Sequence, residues 1–137
     1  MTTQSLKVLV VDDSAAARAM LTAAIESYAE ANARVPEIQA ASSGLEALRF
    51  LPANALDLIV TDINMPDVNG LELISFARRH PLHGATPIVV VTTQSAELDR
   101  DRALALGANG YCEKPVTVTG LLHVITPLLD AKNGGSR

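Results

Sequence analysis

In LDLIVTDINMPDVNG, residues 56–70, an apolar run of Leu58, Ile59 and Val60 stops at a carboxylate, Asp62. A proline turn at Pro66 and a glycine at Gly70 follow. A continuous apolar run suits a strand covered on both faces, as in a parallel sheet. Open α/β sheets bind ligands in the crevice beyond the carboxyl ends of such strands, so Asp62 is placed for chemistry.

Upstream of this stretch the same pattern appears once. Leu6–Val11 is an apolar, β-branched run that stops at Asp12 and Asp13, and an alanine-rich helix is predicted from Ala15 to Ala31. In it Leu21, Ile25 and Tyr28 share one face, while Arg18, Thr22 and Glu26 face water. Proline and mixed polarity in residues 29–36 predict a loop or frayed end. Glu37–Ala41 is a weak second strand. Ser42 or Ser43 then caps a helix carrying Leu45, Leu48 and Leu51 up to Pro52.

Downstream, Asn69 opens a third helix with Leu71, Ile74 and Ala77 on one face. Arg78 and Arg79 sit near its negative end. Pro87–Thr92 (PIVVVT) is the clearest strand, Ser95 opens a fourth helix ending at Gly107, and Asn109–Glu113 is a short fifth strand. The last helix aligns Val118, Leu121, Leu122 and Ile125, and Pro127 is expected to kink or end it near Thr126. Strands alternating with helices imply a doubly wound, five-stranded parallel α/β sheet with right-handed crossovers. The expected organisation is a single domain, 1–137, with its core over about 6–129 and a disordered tail at 131–137. No internal repeat or linker is visible.

Composition narrows the function. At 137 residues the chain buries roughly two-thirds of its unfolded surface and needs no covalent staples. Aromatics make up only 3%, which argues against a base-stacking platform, and a net charge of -4 argues against nonspecific nucleic-acid binding. Cys112 is the single cysteine, so no internal disulfide forms, and it reads as a small apolar residue of the fifth strand. The amino terminus lacks the pattern of a secretory signal and no run is long enough to span a membrane, so the expected compartment is the cytoplasm. His80, His83 and His123 lack metal-ligand spacing with any cysteine and are expected at the surface, without a role.

The strand ends carry the chemistry. Asp12 and Asp13, Asp62, Thr92 and Lys114 all fall on the carboxyl edge of a parallel sheet. Three carboxylates brought together raise one another's pKa values and call for a cation. Oxygen-only ligands point to Mg²⁺, which keeps several waters and accepts a phosphate oxygen. Lys114 and the Thr92 hydroxyl can then contact the remaining phosphoryl oxygens, and a carboxylate so placed can accept the phosphoryl group.

VVDD, TDINMPDVNG, VVVTT and YCEKP, in this order and spacing, make the chain resemble a receiver domain of two-component response regulators, most of all the stand-alone chemotaxis type. The resemblance covers Leu6 to Leu129. It implies the flavodoxin-like strand order 2-1-3-4-5 and a switch phosphorylated on Asp62 by a histidine kinase or within a phosphorelay. By the same resemblance Asp12 and Asp13 hold Mg²⁺ with Asp62 and the backbone carbonyl of Asn64. Thr92 and Tyr111 match the switch pair, and Lys114 the phosphate-contacting lysine that a cis peptide joins to proline. Asn64 and Gln94 flank the site where phosphoryl lifetime is tuned. Phosphorylation is expected to alter partner binding through the face of helix 4, strand 5 and helix 5, with no DNA-binding or membrane element. Enzymatic activity is limited to self-phosphorylation from small donors and self-dephosphorylation.

The chain departs from the family pattern in three places. Thr93 stands where Ala or Gly is usual and narrows access to the site, Val116 replaces a common Phe, and the connection after the first helix is long. Two other readings remain at this point. One is a receiver-like interaction module that works without phosphorylation, disfavoured by retention of the acids, the threonine and the lysine. The other is an aspartyl-phosphate hydrolase, which usually carries a second acid two positions after its nucleophile, where this chain has Asn64. Taken singly each acid reads equally well as a helix cap.

Overall fold

A computed structural model of the protein describes residues 4–93 and 97–134, with side chains described up to 131. Five strands, β1 (Gln4–Val11), β2 (Arg34–Ala41), β3 (Leu58–Asp62), β4 (Ile88–Thr92) and β5 (Gly110–Glu113), pair in parallel in the order β2-β1-β3-β4-β5. Five helices connect and follow them: α1 (Ala15–Ala31), α2 (Gly44–Phe50), α3 (Gly70–Arg79), α4 (Glu97–Leu106) and α5 (Val118–Gly134). A short 3-10 turn, Leu51–Ala53, extends α2. This is the flavodoxin-like architecture expected from the sequence.

Alternation along the central strands explains their continuous apolar runs. Val8, Val10, Leu58 and Val60 pack toward Leu21, Ile25, Leu121 and Ile125 of α1 and α5. Their neighbours Leu9, Val11, Ile59 and Val90 pack toward Leu73, Ile74 and Ala77 of α3 on the other face. With both faces covered, every second residue has to be as apolar as the first. Asn69 caps α3 with a reciprocal box: its side chain accepts from Glu72 N, and Glu72 accepts from Asn69 N.

Several sequence expectations are corrected. β2 begins at Arg34, not Glu37, and includes Pro36; the connection from α1 is only Asn32 and Ala33. An edge strand tolerates proline because one of its sides has no ladder to complete. α5 runs through Pro127 to Gly134, so residues 131–134 of the expected disordered tail are helical. Leu121, Ile125 and Leu129 are buried on the sheet, and that burial outweighs the one hydrogen bond the proline removes.

Of the three leucines expected on the buried face, Leu48 and Leu51 pack on the core, whereas Leu45 is 42% exposed and Gly44 and Ala47 supply the buried face of α2 itself. His83, expected at the surface, is completely buried, with its Nε2 2.7 Å from the Leu51 carbonyl oxygen. The cap expected at Ser95 lies outside the described residues. Among the described residues no helix is long and apolar enough to cross a membrane.

Candidate functional site

The register of β1, β3 and β4 brings Val11, Thr61 and Val90 level, so Asp12, Asp62 and Thr92 emerge together at the carboxyl edge. Each is held from its backbone. Asp12 N donates to Ala41 O at 3.1 Å, Ile63 N to Val91 O at 3.2 Å and Lys114 N to Thr92 O at 2.7 Å. Gly70 closes the loop after β3, with its N–H on Ile63 O at 2.9 Å. A Cβ at this position would collide with the carbonyl oxygen of Asp62, so the tight return of the chain requires glycine.

The acids converge as expected. One oxygen from each of Asp12, Asp13 and Asp62 lies within 4.8 Å of the others. Asp12 is completely buried, Asp62 nearly so, and Asp13 exposed. Asp12 Oδ1 accepts from Ser14 N at 2.9 Å, and Asp62 Oδ1 accepts from Asn64 N at 3.2 Å. Lys114 Nζ donates to Asp62 Oδ2 at 3.1 Å and lies 3.4 Å from Asp12 Oδ2. The second of these is a charge contact without hydrogen-bond geometry, and it leaves Asp12 Oδ2 buried with no hydrogen-bond partner among the described residues. The peptide between Lys114 and Pro115 is cis.

Burial pushes the Asp62 carboxyl above its ordinary range; the Lys114 bond pulls it down, and the neighbouring Asp12 charge pushes it up again. For Lys114, burial acts to lower the ammonium pKa, but the Asp62 and Asp12 carboxylates outweigh it and hold it raised. One lysine therefore serves two desolvated carboxylates, with the exposed Asp13 beside them. A buried carboxylate oxygen without a hydrogen bond, amid oxygen-only donors, fits a hard divalent cation, and Mg²⁺ suits a solvent-facing site of this kind.

Thr92 is buried at the end of β4, and Thr93 beside it is exposed. Tyr111 is not at the acidic cluster. It pairs with Val90 in register, two positions behind Glu113, and its ring is turned outward at 37% exposure. Asn64 is exposed on the loop after β3. Gln94 lies outside the described residues. Val116 is half-buried and packs against the core on the α1 and α5 face.

Two nearby residues were not anticipated. Arg18, expected to face water, donates from Nη1 to the Asp12 carbonyl at 2.7 Å; its i+6 distance from Asp12 carries no sequence signal. Arg100 places its guanidinium carbon 4.8 Å from the centre of the Tyr111 ring. In sequence it is one charge among several in the mixed helix ELDRDRALAL.

Residues 8–126 match the family described as the response regulator receiver domain. The chemotaxis protein CheY homolog of Campylobacter jejuni subsp. jejuni is 32% identical over 130 residues, covering 94% of this chain and 96% of that protein. Chemotaxis protein CheY1 of Helicobacter pylori is 34% identical over 113 residues, covering 82% of this chain and 87% of its own. The chemotaxis response regulator CheY4 of Vibrio cholerae has a similar solved structure: TM-score 0.78, 30% identity, 92% of this chain and 100% of that one.

Proposed function

Because the chain belongs to the response regulator receiver domain family of two-component signalling, we propose that Asp62 is its phosphoryl acceptor and that Mg²⁺ binds beside it. The observation that carries this reading is the Lys114 ammonium 3.1 Å from Asp62 Oδ2, within a cluster of carboxylates that share 4.8 Å. Receiver domains are signalling switches rather than enzymes that turn over a substrate, and an acidic pocket with one near-buried aspartate suits that use.

A carboxylate oxygen of Asp62 attacks the phosphorus of a phosphohistidine on a histidine kinase or phosphotransfer protein. A P–O bond forms, the P–N bond breaks, and the imidazole leaves with the electron pair. Asp12, Asp13, Asp62 and the Asn64 carbonyl would hold Mg²⁺, which when bound neutralises charge on the phosphoryl oxygens. The Lys114 ammonium holds one phosphoryl oxygen, and the Thr92 hydroxyl donates to another. Such transfer depends chiefly on positioning and electrostatics, so the pre-set Lys114 contact supplies much of what the chain must contribute.

Thr92 turning toward the phosphoryl group vacates space that Tyr111 enters, and the surface of α4, β5 and α5 changes its affinity for a downstream protein. Phosphorylation biases an equilibrium already present in the resting protein. Water attack on the phosphorus returns Asp62 to carboxylate, with Asn64 and Gln94 setting the lifetime. We read 1–137 as one receiver domain working in the cytoplasm in a chemotaxis-type pathway, without DNA binding.

Incubation with a small acyl phosphate tests the assignment. A labile adduct of one phosphoryl group per chain, formed with Mg²⁺ and lost with EDTA or Asp62→Asn, is expected. An interaction module independent of phosphorylation would form none with a donor or with any kinase.

A further inference from the structure

We infer that Arg100 is a positioning residue of the switch: seated on the outward ring of Tyr111, it sets how often that ring turns inward in the resting protein. The inference rests on the Thr92 and Tyr111 roles proposed above. Because Val90 pairs with Tyr111 and Thr92 with Glu113, these four side chains project from one face of the sheet, the face that α4 crosses. From α4 the Arg100 guanidinium reaches over the Tyr111 ring, 4.8 Å from its centre.

Two acids of the same helix hold the guanidinium there. Its Nη2 lies 3.5 Å from Glu97 Oε1 and 3.4 Å from Asp101 Oδ1, and its Nε lies 3.4 Å from the same Asp101 oxygen. A guanidinium is planar: its edges take carboxylates while its face lies free to stack on an aromatic ring. Arg100 uses both.

Beside Arg100 is a cavity of about 210 Å³ lined by Thr92, Thr93, Glu97, Arg100 and Glu113. One wall is the buried threonine of the proposed switch, and another is the arginine that covers Tyr111. A ring moving from solvent toward Thr92 must therefore leave the guanidinium. An exposed cation–aromatic contact shifts an equilibrium by about two- to fivefold. That is enough to adjust resting output without locking the switch, since a ligand or modification acts on whatever ratio the contact leaves.

The chain has only two tyrosines, Tyr28 and Tyr111, so 3-fluorotyrosine labelling yields one fluorine resonance for each. Tyr28, buried against α5, is the internal control. In unphosphorylated protein, Arg100→Ala is expected to move the Tyr111 resonance toward its position in the acyl-phosphate adduct, by about two- to fivefold in the inward-to-outward ratio. Arg100→Lys retains most of the wild-type position, Glu97→Gln with Asp101→Asn shifts it part of the way, and Tyr28 stays in place in every variant. A Tyr111 resonance identical in wild type and Arg100→Ala overturns the inference. With Tyr111 unmoved by Arg100→Ala, a donor that moves it in wild type but not in Asp62→Asn leaves the switch standing and only the role of Arg100 falls. If the adduct forms and Tyr111 does not move, both fall.

Discussion

Lys114 donates from Nζ to Oδ2 of Asp62 across 3.1 Å, although the two residues are 52 positions apart in sequence. The contact is made by the ends of β3 and β5, with β4 between them bonding Lys114 N through the Thr92 carbonyl. Lys114→Met leaves that backbone frame in place and removes the fixed cation. Loss of a preorganised charge at a transferring phosphoryl group costs on the order of 10²-fold in rate. Adduct formation from a small acyl phosphate, followed by quench-flow mass spectrometry, should fall by about that factor while the fold persists by circular dichroism.

The crowded carboxylates make stability depend on pH and on metal. Burial raises the Asp62 pKa above 3.8, so between 3.8 and that raised value the folded protein holds a proton that the unfolded chain has lost. Its contribution is fully present below pH 3.8 and is lost as pH rises through the raised folded value. At pH 7 without divalent ions, Asp62→Asn should therefore unfold at higher urea than wild type, with the gap closing near pH 4. Mg²⁺ at about 100 times its Kd should add about 2.7 kcal/mol to wild type, and less to Asp62→Asn. Urea titrations at several pH values, with and without the ion, check both.

Tyr28 ties α1 to α5: its hydroxyl donates to Asp130 Oδ1 at 2.7 Å. Burial, then the Asp130 hydrogen bond, pushes its phenol up from 10.0 to about 12. Tyr28→Phe should cost about 1 kcal/mol at neutral pH, since Asp130 itself reaches water. The tie is complete below pH 10 and is lost as pH rises through about 12. An absorbance titration should show one tyrosine ionising late, together with loss of structure in far-ultraviolet circular dichroism.

Gly70→Ala should be damaging far beyond a helix-start substitution, because the added Cβ meets the main-chain carbonyl of Asp62 and the Cα of Ile63. Backbone on both sides must shift, at a cost of about 1–3 kcal/mol. The end of β3 moves with it, so adduct formation should drop more than stability alone explains. Measuring both at a temperature where the variant is fully folded separates the two effects.

Much of this could be read from residues alone, and the reasons are local. β1, β3 and β4 announce themselves because burial on both faces demands an unbroken apolar run; acids stand at the ends of the first two and a threonine at the end of the third. The start of β2 was hidden: an edge strand half in water, RVPEIQAA, has a proline and little apolar pattern, so only Glu37–Ala41 could be read. The passage of α5 through Pro127 is decided by packing on the sheet, which a local proline rule does not weigh. His83 lacks metal-ligand spacing and so was expected at the surface, yet the carbonyl that holds it belongs to Leu51, 32 residues away. Arg100 and Tyr111 meet only because α4 packs on β4, beside the strand that carries Tyr111, a relation that spacing cannot express.

The central claim is that one carboxylate, that of Asp62, becomes an acyl phosphate. Borohydride converts an aspartyl phosphate to homoserine, so reduction of the donor-treated protein followed by tandem mass spectrometry locates the modified residue. The account predicts homoserine at position 62 alone, dependent on Mg²⁺. Homoserine at position 12 or 13, or at no position in protein known to be folded, contradicts it.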